Sequence, residues 1–71
     1  MTLVEIEVNE VAGEATAQVF FENSGQEWEM SVKGSSKADA EAKAKAQAAA
    51  YLAEWAADPN AANAKYGVYM F

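Results

Sequence analysis

The chain has 71 residues, no cysteine, no histidine and a formal net charge of −6 at neutral pH. This length suits one small domain, residues 1–71, and the missing thiols and imidazoles exclude a disulfide framework and a zinc site. All five basic residues are lysines. The acidic balance argues against ordinary binding to nucleic acid or to an anionic membrane, since both require cations on the protein.

Hydrophobic residues make up 52% of the chain, but many of them are alanines, which bury little area. A chain of this size buries only ~60% of the surface that its unfolded form exposes. The remaining stability must come from good packing or from self-association, and for this reason we favour a homodimer. No apolar run approaches the ~20 residues of a spanning helix, and the N-terminus carries acids rather than a basic leader. These features favour a cytoplasmic protein.

Three segments near the N-terminus alternate between apolar and polar residues, which is typical of half-buried strands. They are TLVEIEVNE, EATAQVFFE and EWEMSVK. Turn residues separate them, with Gly13 in the first turn and Asn23 and Gly25 in the second as the candidates for positive φ. The inward face is predicted to carry Val4, Ile6, Val8, Ala15, Ala17, Val19, Phe21, Trp28, Met30 and Val32. Short connections between such strands predict an antiparallel three-stranded meander.

Gly34 ends the third strand, and the alanine-rich segment that follows predicts one long helix. Ser35 or Ser36 caps it, and the helix is predicted to reach about Ala57 before Pro59 stops it. The segment NAANAK then reads as a loop, and YGVYMF as a short fourth strand or a docking arm. The fold class is α+β: a β-meander packed against one long α-helix. Its packing stripe is predicted to consist of Ala38, Ala42, Ala46, Ala49, Ala53 and Ala56, and which side of this stripe meets the sheet stays open, because Glu41 and Lys45 also border it.

The strand order and the segment SSKADAEAKAKAQAAAYL resemble the C-terminal part of a double-stranded-RNA-binding domain, over about residues 14–55. The resemblance implies that lysines at the start of the helix contact phosphates; the candidates are Lys37, Lys43 and Lys45. Three features depart from that family: no helix precedes the sheet, there is no histidine, and Asp39 and Glu41 lie among the lysines. RNA binding is therefore the alternative hypothesis, beside a structural subunit that self-associates through the alanine stripe.

The polar face of the predicted sheet is acidic. Glu5 and Glu7 lie on its first strand and Glu27 and Glu29 on its third, so two carboxylate rows lie ~10 Å apart, two strand spacings. Such a face can meet a basic partner and mimic nucleic acid. Small acidic inhibitors encoded by phages act in this way. Aromatic residues are predicted to supply the anchors of the contact, namely Phe20, Tyr66, Tyr69 and Phe71.

The sequence thus predicts a non-catalytic module that binds a protein with a basic surface. Its sharpest form is a phage-type inhibitor of a defence protein, binding where the target holds nucleic acid. Catalysis is not expected, because the chain lacks histidine, cysteine and arginine, and an open sheet face offers no pocket that would separate two carboxyl pKa values. No cofactor is expected. No metal is expected either, since calcium sites usually draw on an oxygen-rich loop.

Overall fold

The computed structural model describes residues 1–70, which form a four-stranded antiparallel sheet with helices on one face. Along the chain, the elements are β1 (Thr2–Val11), β2 (Glu14–Asn23), β3 (Gln26–Gly34), α1 (Lys37–Ala57), α2 (Pro59–Tyr66) and β4 (Tyr69–Met70). The strands lie in the order β1-β2-β3-β4, and α1 packs across β1, β2 and β3. The predicted α+β class is confirmed, including the short fourth strand.

Two-residue turns connect the three long strands. Ala12 and Gly13 have φ values of 53° and 79°, and Ser24 and Gly25 have 53° and 82°. Left-handed conformations at both central residues are what a type I′ hairpin turn requires, and this turn matches the twist of the flanking strands. The prediction was right for both glycines. In the second turn the other left-handed residue is Ser24, while Asn23 still belongs to β2.

The core lies between the sheet and α1. The strands contribute Ala15, Ala17, Val19, Phe21, Met30 and Val32, all of them buried. The first four alternate along β2, the central strand, as the period of two predicts. Ile6 and Val8 of β1 are only partly buried at the margin of this cluster.

The predicted alternation fails at one point in β1. Leu3 pairs with Phe21 and Glu5 with Phe20, so Val4 is an extra residue in a β-bulge. Val4 was predicted to face the core, but it is 63% exposed, and Leu3 takes the inward position opposite Phe21. The bulge shifts the phase of the strand by one residue.

The predicted packing stripe of α1 was also wrong. The residues of α1 that face the core are Ala40, Ala44, Ala48 and Tyr51, all buried, while the six alanines of the predicted stripe are exposed. Phe21 and Tyr51 pack with their ring centroids 4.9 Å apart. Small alanines let the helix lie close to the sheet, and one large ring fills the space toward the helix C-terminus.

The start of α1 is fixed by reciprocal hydrogen bonds. The Asp39 backbone N–H donates to Ser36 Oγ at 3.1 Å, and the Ser35 N–H donates to Asp39 Oδ2 at 2.8 Å. Ser36 is therefore the N-cap. The hydrogen bond from the Ser35 N–H, followed by that from Lys43, holds the pKa of Asp39 below its usual value. Gly34 comes so close to the helix that a Cβ there would lie 2.4 Å from the Ala40 nitrogen.

The segment predicted as a loop is a second helix, α2. Asp58 caps it by accepting a hydrogen bond from the Ala61 N–H, and Pro59 occupies its first position, where a missing N–H costs nothing. Contacts between side chains hold α2 against α1. The Tyr51 hydroxyl donates to Asn63 Oδ1 at 2.6 Å, and Glu54 accepts from Tyr66 and, at 2.8 Å, from Lys65.

Candidate functional site

The sheet surface opposite α1, here called the outer face, carries a row of residues that crosses all four strands. Glu5 of β1 pairs with Phe20 of β2, Phe20 pairs with Glu29 of β3, and Glu29 pairs with Tyr69 of β4. Directly paired residues share one face of a sheet. The row therefore alternates carboxylate, ring, carboxylate and ring.

Further carboxylates flank this row on both sides. Glu7 stands opposite Gln18, whose Oε1 accepts a hydrogen bond of 3.1 Å from the Ser31 hydroxyl of β3. On the other side, Glu22 and Glu27 pair directly across β2 and β3. Like charges in direct opposition destabilise a sheet by a few tenths of a kcal/mol, up to ~1 kcal/mol. The outer face therefore carries negative charge that does not stabilise the fold.

The four predicted carboxylates, Glu5, Glu7, Glu27 and Glu29, have no ion pair within residues 1–70. The ion pairs there join Lys33 to Glu14, Lys43 to Asp39, Lys45 to Glu41 and Lys65 to Glu54. Only the first of these lies on the outer face, at the end of the sheet remote from the second hairpin turn. The hydrogen bond from Lys33, together with the charge of that lysine, lowers the pKa of Glu14.

An apolar patch interrupts the carboxylates. The bulge places Val4 beside Phe20, and both line a shallow depression of about 240 Å³ together with Glu5, Glu7, Glu27 and Phe21. The sequence did not identify Val4 as part of this patch, because the alternation of apolar and polar residues in β1 gives no sign of the bulge. An apolar centre within a charged rim is the usual anatomy of a protein interface.

The structure separates the predicted aromatic anchors. Tyr69 lies on the outer face, half exposed and opposite Glu29, and Phe20 lies in the same row. Tyr66 instead belongs to α2, where its ring packs edge-on against Tyr51 at 5.8 Å and its hydroxyl donates to Glu54. The structure therefore does not bring Tyr66 to the acidic face. Phe71 lies outside the described residues.

The lysines of α1 lie in the helical layer, remote from the outer face. Lys43 and Lys45 each form an i,i+4 ion pair, at 3.0 Å with Asp39 and 3.4 Å with Glu41, which leaves Lys37 as the only lysine of residues 1–70 without one. Such exposed pairs add little stability, but they cancel the field of the lysines at short range.

Charge is divided between the two layers. Residues 1–34, which include the three long strands, contain seven acids and one lysine, a formal charge of −6. Residues 35–70 contain four acids and four lysines and are neutral by the same count. The whole net charge thus belongs to the sheet, and most of its acids lie on the outer face.

The arrangement can attract and orient a cationic partner, with Val4 and Tyr69 exposed for apolar contact. Among residues 1–70 no cluster of three or more carboxylates is arranged to hold a metal ion. Neither helix in this part of the chain is long and apolar enough to cross a membrane.

Comparison of the chain with models of protein families, with curated proteins and with solved structures found no match.

Proposed function

We propose that the chain is a non-catalytic binding module whose outer face contacts a basic protein surface. The observation that supports this most is the row Glu5–Phe20–Glu29–Tyr69, in which unpaired carboxylates alternate with rings across four strands. Charged groups of one sign steer a partner of the other sign during encounter, and partly exposed rings add contact area once the surfaces meet.

The sharper form of the proposal is an inhibitor that occupies a nucleic-acid-binding surface. Carboxylates two residues apart on one strand, such as Glu5 and Glu7, stand about 7 Å apart, and the rows on β1 and β3 stand about 10 Å apart. A groove-binding surface lined with lysine and arginine would therefore meet two lines of negative charge.

The test compares two variants that change the net charge equally. E5Q/E29Q removes two carboxylates from the row, and A42K/A49K adds two lysines on the exposed side of α1; both bring the formal charge to −4. The unaltered chain and both variants are immobilised and exposed to purified nucleic-acid-binding domains with cationic surfaces. We expect at least one domain to bind the unaltered chain and A42K/A49K, to bind E5Q/E29Q at least tenfold more weakly, and to be displaced by duplex DNA.

Two results would contradict the proposal. One is that no cationic domain binds, even at low salt. The other is that both variants weaken binding equally, since the partner would then sense only the net charge and not the row. Binding that duplex DNA does not displace would keep the binding module and exclude the nucleic-acid mimic.

A second candidate function rests on the helix. The six alanines predicted as the packing stripe are exposed on α1 and leave a smooth apolar strip. A structural subunit would use this strip against a second copy, as expected for the homodimer. Sedimentation equilibrium distinguishes the candidates: an oligomer that A42K/A49K disperses favours the structural subunit, and a monomer that binds cationic domains favours the acidic module.

The RNA-binding alternative receives less support, because two of its three lysines, Lys43 and Lys45, are paired with carboxylates. Duplex RNA belongs in the same binding experiment as a further ligand. Binding at physiological salt that is lost when Lys37, Lys43 and Lys45 are changed to glutamate would favour this alternative over the acidic module.

A further inference from the structure

Within residues 1–70, β1 is an edge strand, since β2 is the only strand that pairs with it. In an antiparallel pair, alternate residues direct their N–H and C=O groups toward the neighbour and the residues between them direct theirs outward. The bulge disturbs this pattern only near Val4, and residues 5–11 pair with β2 without a further shift. One side of this regular run is therefore open to another strand.

Natural sheets usually protect such an edge with lysine, proline, a very short strand or a bulge. β1 has ten residues and contains no lysine and no proline. The bulge protects only its N-terminal end, so residues 5–11 form a template that can pair with an extended peptide.

The two sides of this template differ in chemistry. Glu5 and Glu7 project on the outer face, unpaired within residues 1–70, whereas Ile6 and Val8 lie half-buried on the inner side at the margin of the core. Over residues 5–8 the residues of an added strand would meet carboxylates and aliphatic groups in alternation, because side chains alternate along it in the same way; further along, Glu10 lies on the inner side and Val11 on the outer side.

We infer that β1 accepts an extended peptide segment in which cationic and aliphatic residues alternate, which adds a fifth strand to the sheet. This refines the proposed function and rests on it: the segment belongs to the basic partner, whose cations face Glu5 and Glu7. Backbone hydrogen bonds supply affinity in such strand addition, and the alternate side chains supply specificity.

A second copy of the chain gains less from the same edge than a cationic segment does. Symmetric antiparallel pairs of β1 strands can be centred on Ile6, on Glu7 or, over residues 5–11 alone, on Val8. The first places Glu5 opposite Glu7 twice, the second places Glu7 opposite its own copy, and the third places these glutamates opposite Val11 and Asn9, so no register gives them a cation. Like charges in direct opposition destabilise a strand pair, whereas a cation at those positions stabilises it.

The experiment titrates the full chain with a nine-residue peptide of alternating lysine and valine, blocked at both ends, and with a peptide of the same composition in which lysines and valines form two blocks. We expect the alternating peptide to bind at least tenfold more tightly, and to slow amide exchange along residues 5–11. E5Q/E7Q should weaken its binding at least tenfold, whereas A42K/A49K should change it less than threefold.

Backbone pairing is tested with two N-methylated forms of the alternating peptide, one methylated at every valine and the other at every lysine. In a strand, only one of these sets of N–H groups points toward β1. We expect one form to lose binding at least tenfold and the other to keep it. Equal affinities of the two forms would overturn the inference while leaving the acidic binding face intact. If neither the peptides nor cationic domains bind, the proposed function fails together with the inference.

Discussion

Single residues set the distance between helix and sheet, and Gly34 is the clearest case. A Cβ at this position would lie 2.4 Å from the Ala40 nitrogen and 2.6 Å from its Cα, both of them backbone atoms that cannot rotate away. We expect Gly34→Ala to lower the free energy of unfolding by about 1–3 kcal/mol, the usual cost of overpacking. Urea denaturation monitored by tryptophan fluorescence measures the change.

Ser35→Ala is the matched control for Gly34→Ala. It keeps the backbone N–H that donates to Asp39 and removes only the 3.3 Å contact of the Ser35 hydroxyl, so a change within about 0.5 kcal/mol is expected. Equal losses in the two variants would show that the site tolerates a methyl group and that the close approach of Gly34 does not limit packing.

At the scale of elements, the contact between α1 and α2 depends on an ionised carboxylate. The hydrogen bond from Lys65, followed by that from Tyr66, holds the pKa of Glu54 below its ordinary value. A lowered folded-state pKa stabilises the protein fully above the unfolded-state pKa of about 4.3, and this stabilisation is lost as pH falls through the folded-state value.

We therefore expect the stability difference between the unaltered chain and Glu54→Gln to be constant from pH 7 to pH 5.5 and to shrink on acidification below about pH 4.5. Thermal unfolding of both proteins across this range measures it. The difference between the two proteins is the useful quantity, because all other ionisable groups are common to both of them. A difference that persists unchanged to pH 2 would show that Glu54 acts through packing and not through its charge.

At the scale of the whole molecule, the division of charge makes the outer face the dominant electrostatic surface. Residues 35–70 are neutral by formal charge, and three of their four lysines pair with carboxylates. A partner that approaches the outer face is therefore influenced mainly by the sheet carboxylates.

It follows that association with the alternating lysine–valine peptide should depend steeply on salt. We expect the association rate constant to fall about tenfold between 50 and 300 mM NaCl, while the dissociation rate constant changes less than threefold. Stopped-flow measurements separate the two constants. E5Q/E29Q should weaken the salt dependence of the association rate constant, whereas A42K/A49K should not. An association rate constant that does not change with salt would show that electrostatic steering does not contribute.

The sequence predicted those elements whose local residue pattern is typical of only one kind of secondary structure. Alternation identified the three strands, and the alanine-rich segment ending at Pro59 identified α1. The face of α1 was misjudged because alanines lie on every side of the helix, and the buried set of Ala44, Ala48 and Tyr51 has the same helical spacing as the predicted stripe. α2 was missed because asparagines and a proline are typical of loops, although Asp58 followed by Pro59 is also a helix start.

Most of the candidate site followed from the strand pattern, since the phase of β1 and β3 places Glu5, Glu7, Glu27 and Glu29 on one face. The bulge at Val4 depends on pairing with β2 and left no local signal. The sequence of this segment alone could not assign Tyr66 and Tyr69 to different elements. α2 ends at Tyr66 and β4 begins at Tyr69, so only two residues lie between them.

The order of the strands also carries a consequence for the sequence of folding events. β1, β2 and β3 are joined by two-residue turns, whereas β4 can pair with β3 only after α1 and α2 have brought Tyr69 back to Glu29, across a loop of about 40 residues. Short loops close first because less chain entropy is lost. The hairpins are therefore expected to assemble early and β4 last. The acidic row is then completed by Tyr69 at the end of folding, so until β4 pairs with β3 the chain presents the carboxylates without their outermost ring.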